Sequence, residues 1–314
     1  MSVMYNDFLI LTNCTGRKRA GGQAITLSPT SLRGPLLSIA ESWRRATTLA
    51  PRTRTAEQTY VGRSFAEARK ISAHLGAQLF ILSAGLGIVA ANELVPHYDL
   101  TVVNGSNSVR PLLSNLGLET SDWWAALLTA FGKERSLRSL VETHPNSLVL
   151  VALPSSYLEM VAADLEELSD LELKRVRIFS SAKGRTVVSN RVRSVVLPYD
   201  DRLEGSEFPG TRNDFAQRAL RHFTETLGAQ RLSLLGAESA VLTALAVMNS
   251  RQIPIRARKT DAEIMKLLTS KWGKFDGSST RLLRYLRDDE LVACEQSRFR
   301  NLWLAVGQQL ANGK

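Results

Sequence analysis

Cysteine is nearly absent: Cys14 and Cys294 are the only two in 314 residues, which excludes a disulfide-stapled scaffold. Histidine is almost as scarce, and its four copies show no i, i+3 or i+4 pairing, so no metal site and no cofactor are expected. Long hydrophobic runs are missing as well. The most apolar stretch, Leu232 to Met248, is short and carries Glu238, too broken to span a bilayer. No charged-then-apolar leader opens the chain, so the expected setting is the cytoplasm, away from any membrane. The GxxxxGK[ST] spacing of a Walker A loop does not occur, nor do internal repeats or low-complexity tracts. With 44% apolar and 22% charged residues, a disordered or collagen-like chain is excluded.

Positive charge is what the chain has in excess. Forty Lys+Arg stand against thirty Asp+Glu, a net charge of +10. Residues 1–70 hold 11 basic and four acidic side chains, a net of +7, and residues 251–314 hold 13 and seven, a net of +6. The stretch between them, with 16 basic and 19 acidic residues, is at −3. Excess charge at both ends of an acidic body suits a protein with two surfaces for a polyanion. The alternative is a generally basic surface kept for solubility.

The hydrophobic pattern alternates between strands and helices. Phe8–Leu11 is a continuous apolar run ending at Thr12-Asn13-Cys14-Thr15-Gly16, as a buried parallel strand feeding a functional loop would. Residues 17–58 form a long polar connection with one helix around Leu36–Thr47. A helix over Ser64–Leu75 stops at Gly76, and the strand Ala77–Ser83 ends in Ala84-Gly85-Leu86-Gly87. A helix around Asp122–Leu140 leads to the strand Ser147–Leu153 and Pro154-Ser155-Ser156-Tyr157. A helix from Asp214 to Leu227 leads to a strand Arg231–Leu235 and Gly236-Ala237-Glu238-Ser239. Shorter strands are expected at Val176–Phe179, Thr186–Ser189 and Val195–Leu197. This order predicts a layered α/β domain with a mostly parallel central sheet over residues 1–252, its ligands gathered beyond the carboxyl ends of the strands.

After Met248 the pattern changes. Thr260-Asp261-Ala262-Glu263 opens a helix with a capping-box start, and Ser278-Ser279 caps a second. Leu291–Glu295, a basic tip at Arg298 and Arg300, and Leu302–Val306 read as a β-hairpin. Residues 253–314 are therefore expected to form a small winged helix-turn-helix that binds DNA. Arg281, Arg284 and Arg287 would line one side of the second helix, and Arg298 and Arg300 would touch phosphate from the wing. The alternative is a winged helix that binds protein or caps an enzyme.

Three motifs point to chemistry. Asn13 can orient water or hold a ring edge, and the turn after it, with Arg17 and Lys18, suits phosphate. Cys14 lacks an evident His–acid partner and reads as a packed thiol. Val95-Pro96-His97-Tyr98-Asp99 and Leu197-Pro198-Tyr199-Asp200-Asp201-Arg202 are near-copies that set Tyr and Asp just after a proline turn. Turn formation accounts for either alone; as a pair they also suit a site in which Asp activates water or stabilises a sugar cation and Tyr stacks on a base. Ser83 and Gly85 would allow close approach of a ligand backbone or sugar, and Glu238 binds ligand or caps a helix start.

Asn13-Cys14-Thr15-Gly16-Arg17-Lys18, Ile81-Leu82-Ser83-Ala84-Gly85-Leu86-Gly87 and Pro96-His97-Tyr98-Asp99 together resemble a domain shared by the peroxide-stress YaaA-like proteins and the uracil-DNA-glycosylase-like domains of archaeosine-synthesis and transglycosylase enzymes. More particularly, residues 5–250 resemble the phage-defence DNA glycosylases that excise heavily modified pyrimidines such as glucosylated hydroxymethylcytosine. The resemblance implies a uracil-DNA-glycosylase-like fold, DNA as partner with no obligatory protein partner, and base excision as an antiviral activity of a hydrolase. It maps the water-positioning residue after the first strand onto Asn13. The Gln-Asp-Pro-Tyr-His string of the uracil enzymes is absent.

The resulting expectation sets Asn13 and Asp99 nearest the anomeric carbon, with Asp200 and Asp201 as further acid–base candidates. Tyr98 or Tyr199 would lie against the base, and Arg17, Lys18 and Arg202 on phosphate. The competing expectations are a tRNA base-exchange enzyme of transglycosylase type and a non-catalytic YaaA-like DNA-binding protein.

Overall fold

A computed structural model describes residues 5, 7–16, 18–19, 23–27, 34–105, 107–208, 210–248 and 255–312. The chain divides into two compact units, Met1–Arg251 and Gln252–Lys314. Among the described residues no helix is long and apolar enough to cross a membrane.

The first unit is an α/β structure around a five-stranded sheet. Its strands are β1 (Asp7–Asn13), β2 (Gln78–Ser83), β3 (Gly87–Ala90), β4 (Ser147–Ala152) and β5 (Val176–Phe179), in the spatial order β3-β2-β1-β4-β5. All neighbours run parallel except β2 and β3, which are antiparallel. Continuous apolar runs form β1 and β4 because helices cover both faces of the sheet: from Phe8 onward β1 is buried, and so is all of β4. Each fully buried Leu or Val there contributes about 1.5–3 kcal/mol of transfer free energy.

The chain starts in the middle of this sheet. From β1 it crosses to β2 on one side, and β4 returns to the other, so the direction of the connections reverses between β1 and β4. In an open α/β sheet such a reversal leaves a crevice beyond the carboxyl ends of the two strands. Helices α1 (Leu36–Leu49) and α2 (Arg63–Leu75) lie in the first crossover. Helix α3 (Thr120–Phe131) packs against α1. A later helix, α4 (Phe215–Arg221), packs on β4, β5 and α2 and runs on into a π turn over His222–Thr226.

Several expectations need correction. The helix expected over Asp122–Leu140 is two helices, because the chain turns at Gly132 with φ 113° before resuming at Leu137. Thr186–Ser189 is not a strand: it joins a helical turn, Ala182–Thr186, to another that Ser189 caps through its hydroxyl. Arg231–Leu235 is not a strand either. A 3-10 turn, Ala229–Arg231, runs into α5 (Leu234–Ala246), whose N-cap Ser233 accepts from Gly236 N–H at 3.2 Å. Val195–Leu197 does add a bridge to the edge of β5, with Leu197 N–H donating to Ile178 at 2.9 Å.

The second unit is helical: α6 (Asp261–Lys271), α7 (Ser279–Arg284), which runs into a π turn over Tyr285–Asp289, and α8 (Gln296–Asn312). The expected capping box is present, with Thr260 and Glu263 satisfying each other's backbone N–H groups. The expected wing is not. Residues Gln296–Asn312 form one 17-residue helix, since Phe299, Leu302 and Val306 recur at spacings of three and four and bury one face. Leu291 turns the chain with φ 49°, and Val292 then pairs with Ala257 through a single parallel bridge, not with residues 302–306. Ile264, Leu268, Leu282, Leu286 and Val292 complete this separate core, and Trp272 stacks on Trp303 at 6.1 Å.

Candidate functional site

Asn13 ends β1 at the reversal point, Cys14 follows it, and both are buried. Tyr157, in the first turn after β4, brings its hydroxyl to Cys14 Sγ at 3.2 Å. Gln217, on α4, is fully buried against the ends of β1 and β4. Its Nε2 faces Thr12 Oγ1 at 2.9 Å, Asn13 Oδ1 at 3.1 Å and the Ala152 carbonyl at 3.1 Å, tying β1 to β4. Three acceptors around the amide nitrogen leave Gln217 Oε1 as the opposite end, buried and without a hydrogen-bond partner among the described residues. An orphaned acceptor of this kind is costly unless it has a ligand to hold. Asn13 Nδ2 spends one hydrogen on the Cys14 carbonyl at 2.8 Å.

On the β2 side three hydroxyls form a chain. Ser83 Oγ meets Tyr98 OH at 2.5 Å, and Tyr98 OH meets Tyr60 OH at 2.7 Å. Ser83 Oγ also accepts from the N–H groups of Gly85 (3.1 Å) and Leu86 (3.0 Å), which fills its lone pairs. Its own hydrogen therefore goes to Tyr98. Three hydroxyl hydrogens serve two links, so one of the phenols keeps a hydrogen to donate elsewhere. Burial is the main reason that Tyr60, Tyr98 and Tyr157 all ionise above the ordinary value of 10, so they stay protonated donors at neutral pH.

Lys18 stands over this chain. An antiparallel bridge between Lys18 and Tyr60 brings its side chain across the two rings, with Nζ 4.5 Å from the Tyr98 centroid and 5.9 Å from that of Tyr60. The ammonium is buried and has no hydrogen-bond partner among the described residues. Two indoles brace the turn beneath: Trp43 Nε1 donates to the Gly85 carbonyl at 2.6 Å and Trp123 Nε1 to the Ala84 carbonyl at 2.8 Å. Gly85 lies under the rings, where a Cβ would come within 3.0 Å of both Trp43 and Tyr98.

Of the residues expected from sequence, Lys18, Ser83, Gly85 and Tyr98 therefore come together, and Asn13 ends the neighbouring strand in register with Leu82. The others do not join them. Asp99 follows Tyr98 on a two-residue strand, so its side chain leaves on the opposite face, where it accepts from Asn107 at 2.5 Å. Tyr199 does not present a stacking face: it is buried against Phe179, with its hydroxyl 2.9 Å from His222 Nδ1. Asp200 is clamped by Arg202 through Nε and Nη2 at 2.7–3.0 Å, which holds its carboxyl below the usual range. The same contacts, with one to the Leu245 carbonyl, take up the Arg202 guanidinium expected on phosphate. Asp201 is exposed on the adjacent 3-10 turn. Glu238 sits half-buried within α5 rather than after a strand. Arg17 lies outside the described residues.

In the second unit, Arg281 and Arg284 project from α7 with side chains 65% and 84% exposed. Arg287 turns inward and donates to the Cys294 carbonyl at 2.8 Å. Arg298 belongs to α8, not to a wing tip, and is paired with Asp261. Arg300, on the same helix, is exposed.

Tyr60, Tyr157, Gln217, Trp43 and Trp123 were not singled out from sequence. Tyr157 lies in the Pro154-Ser155-Ser156-Tyr157 segment after a strand; the other four carry no local signal. Compared with known proteins, the chain matches no family model, no curated protein and no solved structure.

Proposed function

We propose that the crevice between β1 and β4 is the reaction centre of a DNA glycosylase, which hydrolyses the N-glycosidic bond of a modified pyrimidine and leaves an abasic site. The observation that carries this reading is the Lys18 ammonium, buried without a hydrogen-bond partner among the described residues beside a hydroxyl chain that holds a spare donor. Such a pair suits an anion that forms within the site. Breaking an N-glycosidic bond generates one, because the bonding electrons leave with the base while the sugar becomes oxocarbenium-like.

The amides supply the other half of the chemistry. As C1′ becomes cationic, water needs positioning more than deprotonation, and Gln217 Oε1 and Asn13 offer an acceptor and a donor for it. The water oxygen bonds to C1′, the C1′–N bond breaks, and a water proton ends on the departing base. The carboxylates paired with Asn107 and Arg202 have no part in this scheme. Nor does Cys14 attack: its thiol is buried against Tyr157.

A base must leave the stack to enter such a crevice, at a cost of a few kcal/mol, and a net charge of +10 supports the backbone grip that offsets it. The choice of glucosylated hydroxymethylcytosine and of anti-phage defence follows from the motif resemblance. The test incubates the purified chain with phage DNA carrying the modified base, with unmodified DNA and with tRNA. Released base and alkali-labile breaks from the modified DNA alone are expected, and Asn13→Ala should reduce them at least about 100-fold with DNA affinity changed only a few-fold. Tight binding to all DNAs with no base released overturns the enzyme in favour of a binding protein. Base exchange on tRNA overturns the substrate.

A further inference from the structure

The second unit contains an open cleft of about 660 Å³ lined by Arg256, Arg258, Lys259, Arg287 and Arg298, with Glu295 as its one carboxylate. Three of these guanidiniums are tethered in the same manner. Arg256 donates from Nε to the Arg287 carbonyl (2.8 Å) and from Nη2 to Asp288 (3.0 Å). Arg287 places Nε and Nη2 on the Cys294 carbonyl at 3.2 and 2.8 Å. Arg298 holds Asp261 through Nε and the Lys259 carbonyl through Nη2, both at 2.8 Å. Each is fixed by its Nε–Nη2 edge, and no Nη1 among them has a hydrogen-bond partner among the described residues.

This arrangement leaves three oriented pairs of N–H donors whose side-chain entropy is already spent. Arg258 and Lys259 add two cations in no ion pair among the described residues. Glu295 is the one carboxylate of the lining, and it accepts from the N–H groups of Ser297 (3.0 Å) and Arg298 (3.2 Å) at the start of α8. Counting Asp261 and Asp288 as well, five cations face three carboxylates. One phosphate is satisfied by two or three such donors. Five cations along an open cleft fit a ligand with several phosphates in a row.

We infer that this cleft, not the exposed face of α7, is where the second unit grips the phosphodiester backbone of DNA. The inference rests on the proposed glycosylase reading only for the choice of DNA among polyanions. Its contacts are to backbone, so it adds affinity without reading bases.

The test uses the full chain and an unmodified duplex of about 20 base pairs, followed by fluorescence anisotropy across a salt series. Arg258→Glu/Lys259→Glu, which breaks none of the tethers, should weaken binding at least about tenfold at 0.1 M salt. It should also reduce the slope of log K against log salt by about 1.8, as expected for two lost phosphate contacts. Arg281→Glu/Arg284→Glu should stay within about threefold of the parent. Loss of binding in the α7 pair with the cleft pair unchanged overturns the assignment, as does binding unaffected in both. So does a parent chain that prefers vesicles of 30% phosphatidylserine to the duplex. Because the duplex is unmodified, binding that depends on the cleft stands even if no base is ever released, so failure of the glycosylase reading is distinguishable from failure of this one.

Discussion

Lys18 Nζ lies 4.5 Å from the centroid of the Tyr98 ring and has no hydrogen-bond partner among the described residues. The ring face returns about 0.5–2 kcal/mol, and no carboxylate pairs with the ammonium among the described residues. Lys18→Met keeps the unbranched stem and removes the charge. It should leave the melting temperature unchanged or raise it, while base release falls at least about 100-fold. Calorimetry and single-turnover base release check this together; a clearly lower melting temperature with activity retained contradicts the role.

Gln217 joins Thr12, Asn13 and Ala152 through one amide nitrogen. Gln217→Leu preserves volume but leaves these buried acceptors short of a donor, at about 1–3 kcal/mol for each group left unsatisfied. Thermal unfolding should drop by several degrees and turnover should fall. Combined with Asn13→Ala, the second change should add little to the loss of turnover, since both remove the same contact. Additive losses in the double-mutant cycle would separate the two residues.

Gly85→Ala puts a Cβ within 3.0 Å of Trp43 and Tyr98. Neither ring yields easily, because the indole is bonded to the Gly85 carbonyl and the phenol to Ser83 and Tyr60. The substitution should destabilise by about 1–3 kcal/mol and depress base release by moving Tyr98 under Lys18. Gly105→Ala, with nothing among the described residues within 4 Å of the added Cβ, should be close to neutral. Urea unfolding of both variants makes the comparison.

His222 is buried, with Nδ1 on Tyr199 and Nε2 unpartnered among the described residues, and burial lowers its pKa from the ordinary 6.5. The neutral ring is favoured in the fold, so the unfolded chain takes up the proton first as pH falls. The contribution to stability is intact above pH 6.5 and is lost as pH drops from there through the lowered folded value. Stability should therefore decline between pH 7 and 5, above the range where most carboxylates titrate. His222→Gln should show a shallower decline across that interval, whatever its absolute stability; equal slopes would exclude His222 as the source.

Much of the sheet was legible because buried parallel strands are continuous apolar runs: Phe8–Leu11, Ala77–Ser83, Ser147–Leu153 and Val176–Phe179 all fall on observed strands. The carboxyl ends of the first two strands named Asn13, Lys18, Ser83 and Gly85, and the proline turn of Val95–Asp99 named Tyr98. Short apolar pieces were misread where period decides. Leu302–Val306 looks like a strand when isolated, but with Phe299 and Val306 at helical spacing it belongs to α8.

The amino-acid sequence by itself determined the layered α/β class, the basic ends and the polar loops where strands finish, because burial period and charge are local properties of the chain. Tertiary structure alone decided which polar groups share a site. Gln217 reaches Thr12 across 205 residues and Tyr157 reaches Cys14 across 143. Tyr98 and Asp99 are adjacent in sequence, yet strand geometry sends them to opposite faces. A hydrogen bond is a relation between positions in space, so no local pattern distinguishes the paired aspartates from a Lys18 ammonium that has no hydrogen-bond partner among the described residues.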